Sequence, residues 1–135
     1  VPGSSDGFHA GFVTYADAIK QSVLGVNKNT LARHGAVSEE VVREMALGAL
    51  DRANADYAIA VSGIAGPDGG TPEKPAGTVW IAWGNREHIH TRGLHWPVER
   101  TLFQTMIAAA GLDMIRRILL GIEEEPRYFG QRRIR

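Results

Sequence analysis

The chain has 135 residues, 44% of them hydrophobic, with 15 basic against 15 acidic side chains and no cysteine. That length suits one folded core; the missing cysteine excludes disulfides, thiolate metal sites and thiol nucleophiles, and the zero net charge excludes a general nucleic-acid binder. No apolar run approaches the roughly 20 residues of a membrane span and no signal-peptide pattern opens the chain, so a soluble, cytoplasmic domain with no membrane partner is expected.

The chain opens at Val1, without Met, in the turn-like run Val1 to Gly7, and residues upstream are therefore expected. Phe8 to Tyr15 is rich in aromatic and β-branched types and reads as a strand. Asp17 to Leu24 switches to helical periodicity, with Asp17 as N-cap and Gly25 as the stop. A second short helix spans Lys28 to His34, between Asn27 and Gly35. The clearest helix is capped by Ser38, carries Glu39 and Glu40 in its first turn, where the macrodipole favours anions, and ends near Ala53. Val41, Val42, Met45, Ala46, Ala49 and Leu50 form its apolar stripe.

Tyr57 to Val61 and Thr78 to Trp83 are little interrupted by polar residues, as strands covered on both faces are. Glu87 to His95 alternates more and suits an edge strand. A long helix over Val98 to Leu120 is expected to bury Leu102, Phe103, Met106, Ile107, Ala110, Met114, Ile115, Ile118 and Leu119. Glu123 to Arg135 reads as a charged surface appendage. The fold class is α/β: a three-layer α/β/α domain with a central mixed sheet over residues 1–121, followed by a charged tail over 122–135.

Between the two central strands lies a glycine-rich connection, Ser62 to Gly77. At about 16 residues it exceeds ordinary loop lengths, and such loops are usually functional or disordered; burial of its flanking strands favours function. Glycine after a strand lets the backbone approach a ligand and aim its N–H groups at an anion. The spacing fits neither the dinucleotide fingerprint nor the Walker loop. A long connection whose glycines only satisfy turns is the alternative. Tyr15 and Lys20 flank a strand-to-helix junction, where α/β sheets place their ligand crevices. A desolvated Lys20 could act as general base for a hydroxyl nucleophile, against the plainer reading of a solvated lysine beside an interfacial tyrosine. His88 and His90 share one face, with His95 near the strand end, but a zinc site needs three or four ligands and none completes it. Arg100 is positioned to bind an anion or to lie in solvent.

Taken together, Gly11-Phe12-Val13-Thr14-Tyr15, Lys20, Leu24-Gly25-Val26, His34-Gly35-Ala36-Val37-Ser38-Glu39, Ser62-Gly63-Ile64-Ala65-Gly66-Pro67-Asp68-Gly69-Gly70 and Glu73-Lys74-Pro75-Ala76-Gly77-Thr78-Val79-Trp80 resemble the CinA C-terminal domain family, whose members are nicotinamide-nucleotide amidases. The resemblance covers about Val1 to Leu120. It implies deamidation of nicotinamide mononucleotide by a serine nucleophile with Tyr15 and Lys20 as the base system, without metal or cofactor. Lys20 would deprotonate the serine and Tyr15 would relay the proton or orient the pair. Ser62, Gly63, Ala65, Gly66, Gly69, Gly70 and Arg100 are the expected substrate contacts. The family's serine lies in a Glu-Ser-Cys-Thr-Gly-Gly segment, which this sequence does not contain, and the zero cysteine count reflects the same gap. Asp17 stands where relatives often carry Asn, and Gln104 where an Arg is expected.

The competing reading is a non-catalytic nucleotide-binding or regulatory domain, and a zinc hydrolase using His88 and His90 is the third. The expected partner is a small nucleotide, and the apolar helix faces are compatible with a homo-oligomer.

Overall fold

The computed structural model describes residues 2–66 and 69–134. After a single turn at Ser4–Asp6 the chain forms no helix or strand before Asp17. The strand expected over Phe8 to Tyr15 is absent: Val13 and Tyr15 are 93% and 89% exposed, and a segment with β-type composition is no strand without a neighbour to complete its hydrogen bonds. The first helix, α1 (Asp17–Leu24), spans the expected residues, but its N-cap is Ala16 and not Asp17. Asp17 is therefore in the first turn, where its carboxylate meets the Lys20 ammonium at 3.4 Å instead of capping.

Helix α2 (Lys28–His34) is bounded by Asn27 and Gly35 as expected, and the Asn27 side chain accepts from Asn29 N at 2.8 Å. Helix α3 (Glu39–Ala53) begins at Ser38, whose hydroxyl accepts from Val41 N at 3.4 Å and donates to Gly35 O at 2.8 Å. Its stripe is dry: Val41, Val42, Ala46 and Leu50 are wholly buried. Burying each larger aliphatic side chain here contributes about 1.5–3 kcal/mol.

Three strands, β1 (Ala58–Gly63), β2 (Thr78–Gly84) and β3 (Ile89–His95), pair in that order. Both pairings are antiparallel, so the sheet among the described residues is antiparallel rather than mixed. A parallel pair would have needed another strand beside β1, and residues 8–15 do not supply it. The α/β layering is as expected. Alternation along β2 sends Trp80 and Ala82 toward α1–α3, and Val79, Ile81 and Trp83 toward the opposite core.

That opposite core is covered by α4 (Arg100–Leu119), which buries Phe103, Ile107, Ala110 and Met114. Leu102, Met106 and Leu119, expected inside, are 49%, 37% and 64% exposed. One sheet face accommodates one stripe of a helix, and the apolar residues of α4 extend beyond that stripe.

The tail is not an appendage. Helix α5 (Arg127–Gly130) inserts Phe129, which is wholly buried against Trp83 with ring centroids 5.9 Å apart. Arg133 then bridges Leu94 on the edge of β3. Tyr128 Oη donates to Asp113 at 3.1 Å, and Arg92 pairs with Glu125. One of the charges that make the tail read as solvated, Glu125, is among its fastenings.

Candidate functional site

Beyond the end of β1, the glycine connection closes on itself. Ile64 N donates to Thr78 O at 2.8 Å and Gly77 N to Ile64 O at 2.7 Å, which joins the two ends of the loop. Gly77 has φ +91°, and a Cβ there would stand 2.8 Å from the backbone of Trp96. Gly70, at φ +98°, would meet Lys74 O at 2.8 Å. Both positions exclude a side chain twice over, by dihedral and by space. The distal turn is held by reciprocal bonds between Thr71 and Lys74, and Lys74 Nζ donates to His34 O at 2.5 Å, so the loop is tied to the end of α2. Pro67 and Asp68 of the motif lie outside the described residues.

This loop, Tyr15 and the first two turns of α4 enclose a cavity of about 610 Å³, within the range of small-molecule sites. Of the residues singled out from the sequence, Tyr15, Gly63, Ala65, Gly66, Gly69, Gly70 and Arg100 line it. Arg100 is the one cation among the described lining residues, and none of those is acidic. The start of α4 is itself occupied: the Glu99 carboxylate accepts from Thr101 N at 2.9 Å and Leu102 N at 3.2 Å, bonds that hold its pKa below the usual carboxylate value. Charge attraction for an anion in this cavity therefore rests on Arg100 rather than on open helix N–H groups.

Lys20 does not line the cavity. It is buried one hydrogen bond behind it, with Nζ donating to Tyr15 O at 3.1 Å and to Asp17 at 3.4 Å. Ser62 lies half-buried on β1 opposite Trp80 and is also outside the lining. Of the α4 wall of the cavity, sequence reasoning tied Gln104 to substrate contacts, where an Arg is expected, and missed Phe103, Ile107 and Ala108. Helical periodicity assigns those three apolar residues to a core.

A second concavity of about 660 Å³ lies between residues 6–12 and β1. It has no basic group other than His9 and no glycine loop beside it, and it is bordered by Leu112, Ile115 and Leu119. His88 and His90 sit with ring centroids 4.2 Å apart, and His90 stacks on Trp83. Burial first, then the charges of His88, Arg92 and Arg43, push the His90 imidazole pKa down. Among the described residues no group of three His, Cys, Asp or Glu side chains gathers to hold a metal.

The fold is a layered α/β domain with a glycine-lined, arginine-bearing cavity beyond the end of a strand. The family model described as the CinA C-terminal domain matches residues 1–119, and the chain belongs to that family. It is 48% identical over 132 residues to a CinA-like protein of Colwellia psychrerythraea, covering 98% of this chain and 31% of that protein. It is 61% identical over 96 residues to the nicotinamide-nucleotide amidohydrolase PncC of Shigella flexneri, covering 71% of this chain and 56% of that one. The crystal structure of the competence/damage inducible protein CihA from Agrobacterium tumefaciens superposes with a TM-score of 0.83 at 37% identity, covering 92% of this chain and 74% of that one. The chain thus spans about a third to just over half of the length of these curated relatives. No described helix is long and apolar enough to cross a membrane.

Proposed function

We propose that this domain takes part in the hydrolysis of nicotinamide mononucleotide to nicotinate mononucleotide and ammonia. The observation that carries the reading is the convergence of Tyr15, the glycine loop and Arg100 on one cavity, with the Lys20 amine bonded directly behind Tyr15. A relative that shares 61% identity over part of the chain and bears the name nicotinamide-nucleotide amidohydrolase supports the choice of substrate. Arg100 supplies the charge a phosphomonoester requires, and the loop supplies a backbone surface close enough to touch it.

The nucleophile is a serine on the segment that the family resemblance implies, outside this sequence. Its Oγ attacks the carboxamide carbon while Lys20 accepts the hydroxyl proton, directly or through Tyr15. The C–N bond then breaks, ammonia leaves with that proton, and water cleaves the acyl–serine bond to release the carboxylate. Tyr15 lines the cavity and Lys20 Nζ donates to the Tyr15 backbone carbonyl, so a relay requires the Tyr15 hydroxyl to turn toward Nζ when the serine and substrate are in place. Ammonia and nicotinate mononucleotide, formed in equal amounts by the full-length protein, test the reading. Binding of the nucleotide without turnover would instead favour a non-catalytic nucleotide-binding domain.

A further inference from the structure

The tail beyond residue 119 lies outside the matched family region, yet it grips the segment on which the cavity depends. The Arg132 guanidinium stands 4.5 Å over the Trp96 ring, and Tyr128 packs against the same ring at 6.0 Å. His95 N donates to Arg132 O at 2.8 Å, and Ile134 N donates to Gly93 O at 3.0 Å. From its other side the His95–Trp96 pair holds the loop: Trp96 N donates to Gly77 O at 2.7 Å, and the His95 ring bonds Ala76 O at 3.1 Å. Gly77 in turn donates to Ile64, which lines the cavity, and four residues after Trp96 the chain places Arg100 in the same cavity.

We infer that the C-terminal tail is a clasp, with Arg132 and Tyr128 as positioning residues that hold His95–Trp96 against Gly77 and so set the glycine loop and Arg100 for the ligand. This builds on the proposed substrate only for its binding readout. A clasp of this kind acts on ligand binding, since the hydrogen bonds of Lys20 go to Tyr15 O and Asp17 and none to the tail.

Deleting the tail would strip Phe129 from the core, so the test uses point variants. Arg132→Ala removes the cation over Trp96 but none of the backbone bonds, and Arg132→Lys keeps a cation there. Hydrogen exchange at the amides of Ile64, Gly77 and Trp96 is expected to quicken about fivefold in Arg132→Ala, with α3 unchanged and Arg132→Lys close to the parent. With the full-length protein and nicotinamide mononucleotide, Arg132→Ala is expected to raise KM about fivefold with kcat unchanged. Unchanged exchange at those three amides would overturn the clasp, as would faster exchange with KM and kcat both unaltered. If the parent protein neither binds nor hydrolyses the nucleotide, the substrate reading fails, and the exchange rates alone decide the clasp.

Discussion

Lys20 is buried while Tyr15, five residues earlier, is almost wholly exposed, and that contrast separates their expected mutational behaviour. Replacing Tyr15 by Phe removes one hydroxyl at a cavity surface, so thermal stability is expected to stay within about 0.5 kcal/mol while amidase turnover falls by about 10²-fold or more. Lys20→Met keeps most of the buried stem and removes the base; turnover is expected to be lost with nucleotide binding retained, measured by ammonia release and by calorimetry.

Asp113 is one of the carboxylates through which stability should depend on acid. Its carboxylate accepts from Arg117 at 2.9 Å, Arg116 at 2.6 Å and Tyr128 at 3.1 Å, and these bonds, Arg117 foremost, hold its pKa below the ordinary value. A depressed folded pKa gives stability that is present above the unfolded value, near 4, and is lost as pH falls through the folded value. Tm is therefore expected to drop on acidification below about pH 4, and Asp113→Asn should flatten that limb; an unchanged limb would contradict the assignment. Tyr128 shifts the other way: burial, then the bond to Asp113, push its phenol up to about 12. Its stabilising share is intact below about pH 10 and lost as pH rises through about 12.

At the scale of elements, the joint between β2, the glycine loop and the tail concentrates the consequences. Gly77→Ala forces a side chain into a left-handed backbone and against Trp96, and the expected outcome is a loss of at least about 1 kcal/mol with weakened nucleotide binding. Phe129→Ala, at a fully buried site, is expected to cost about 3–5 kcal/mol in denaturant unfolding. An effect under about 1 kcal/mol would mean that the tail is not part of the core.

These elements were unevenly legible. Helix α2 and helix α3 could be bounded from sequence because Asn27, Gly35 and Ser38 are local signals whose hydrogen bonds close within a few residues. β2 was legible from its apolar run. Residues 8–15 were misread because strand formation depends on a partner, which composition does not reveal. The tail was misread because Phe129 is a single apolar anchor among charges, and its fastenings, Glu125 to Arg92 on β3 and the Tyr128 hydroxyl to Asp113 on α4, join residues far apart in sequence. The site divides in the same way. Its glycine loop was visible as an over-long, helix-free connection, whereas the α4 wall was hidden within a pattern shared by every core helix.

At the scale of the whole molecule, two helical layers sandwich a three-stranded sheet, and the cavity lies where the end of β1, the start of α4 and the residues before α1 converge. On the proposed function, binding falls to the loop and Arg100, proton transfer to Tyr15 and Lys20, and positioning to the tail. The most direct test of this division is ammonia release from nicotinamide mononucleotide by the full-length protein, measured beside its Lys20→Met variant. Equimolar ammonia and nicotinate mononucleotide from the parent, with the variant binding the nucleotide but releasing no ammonia, is the predicted result. A variant as active as the parent, or a parent that binds the nucleotide and leaves it intact, would contradict the account.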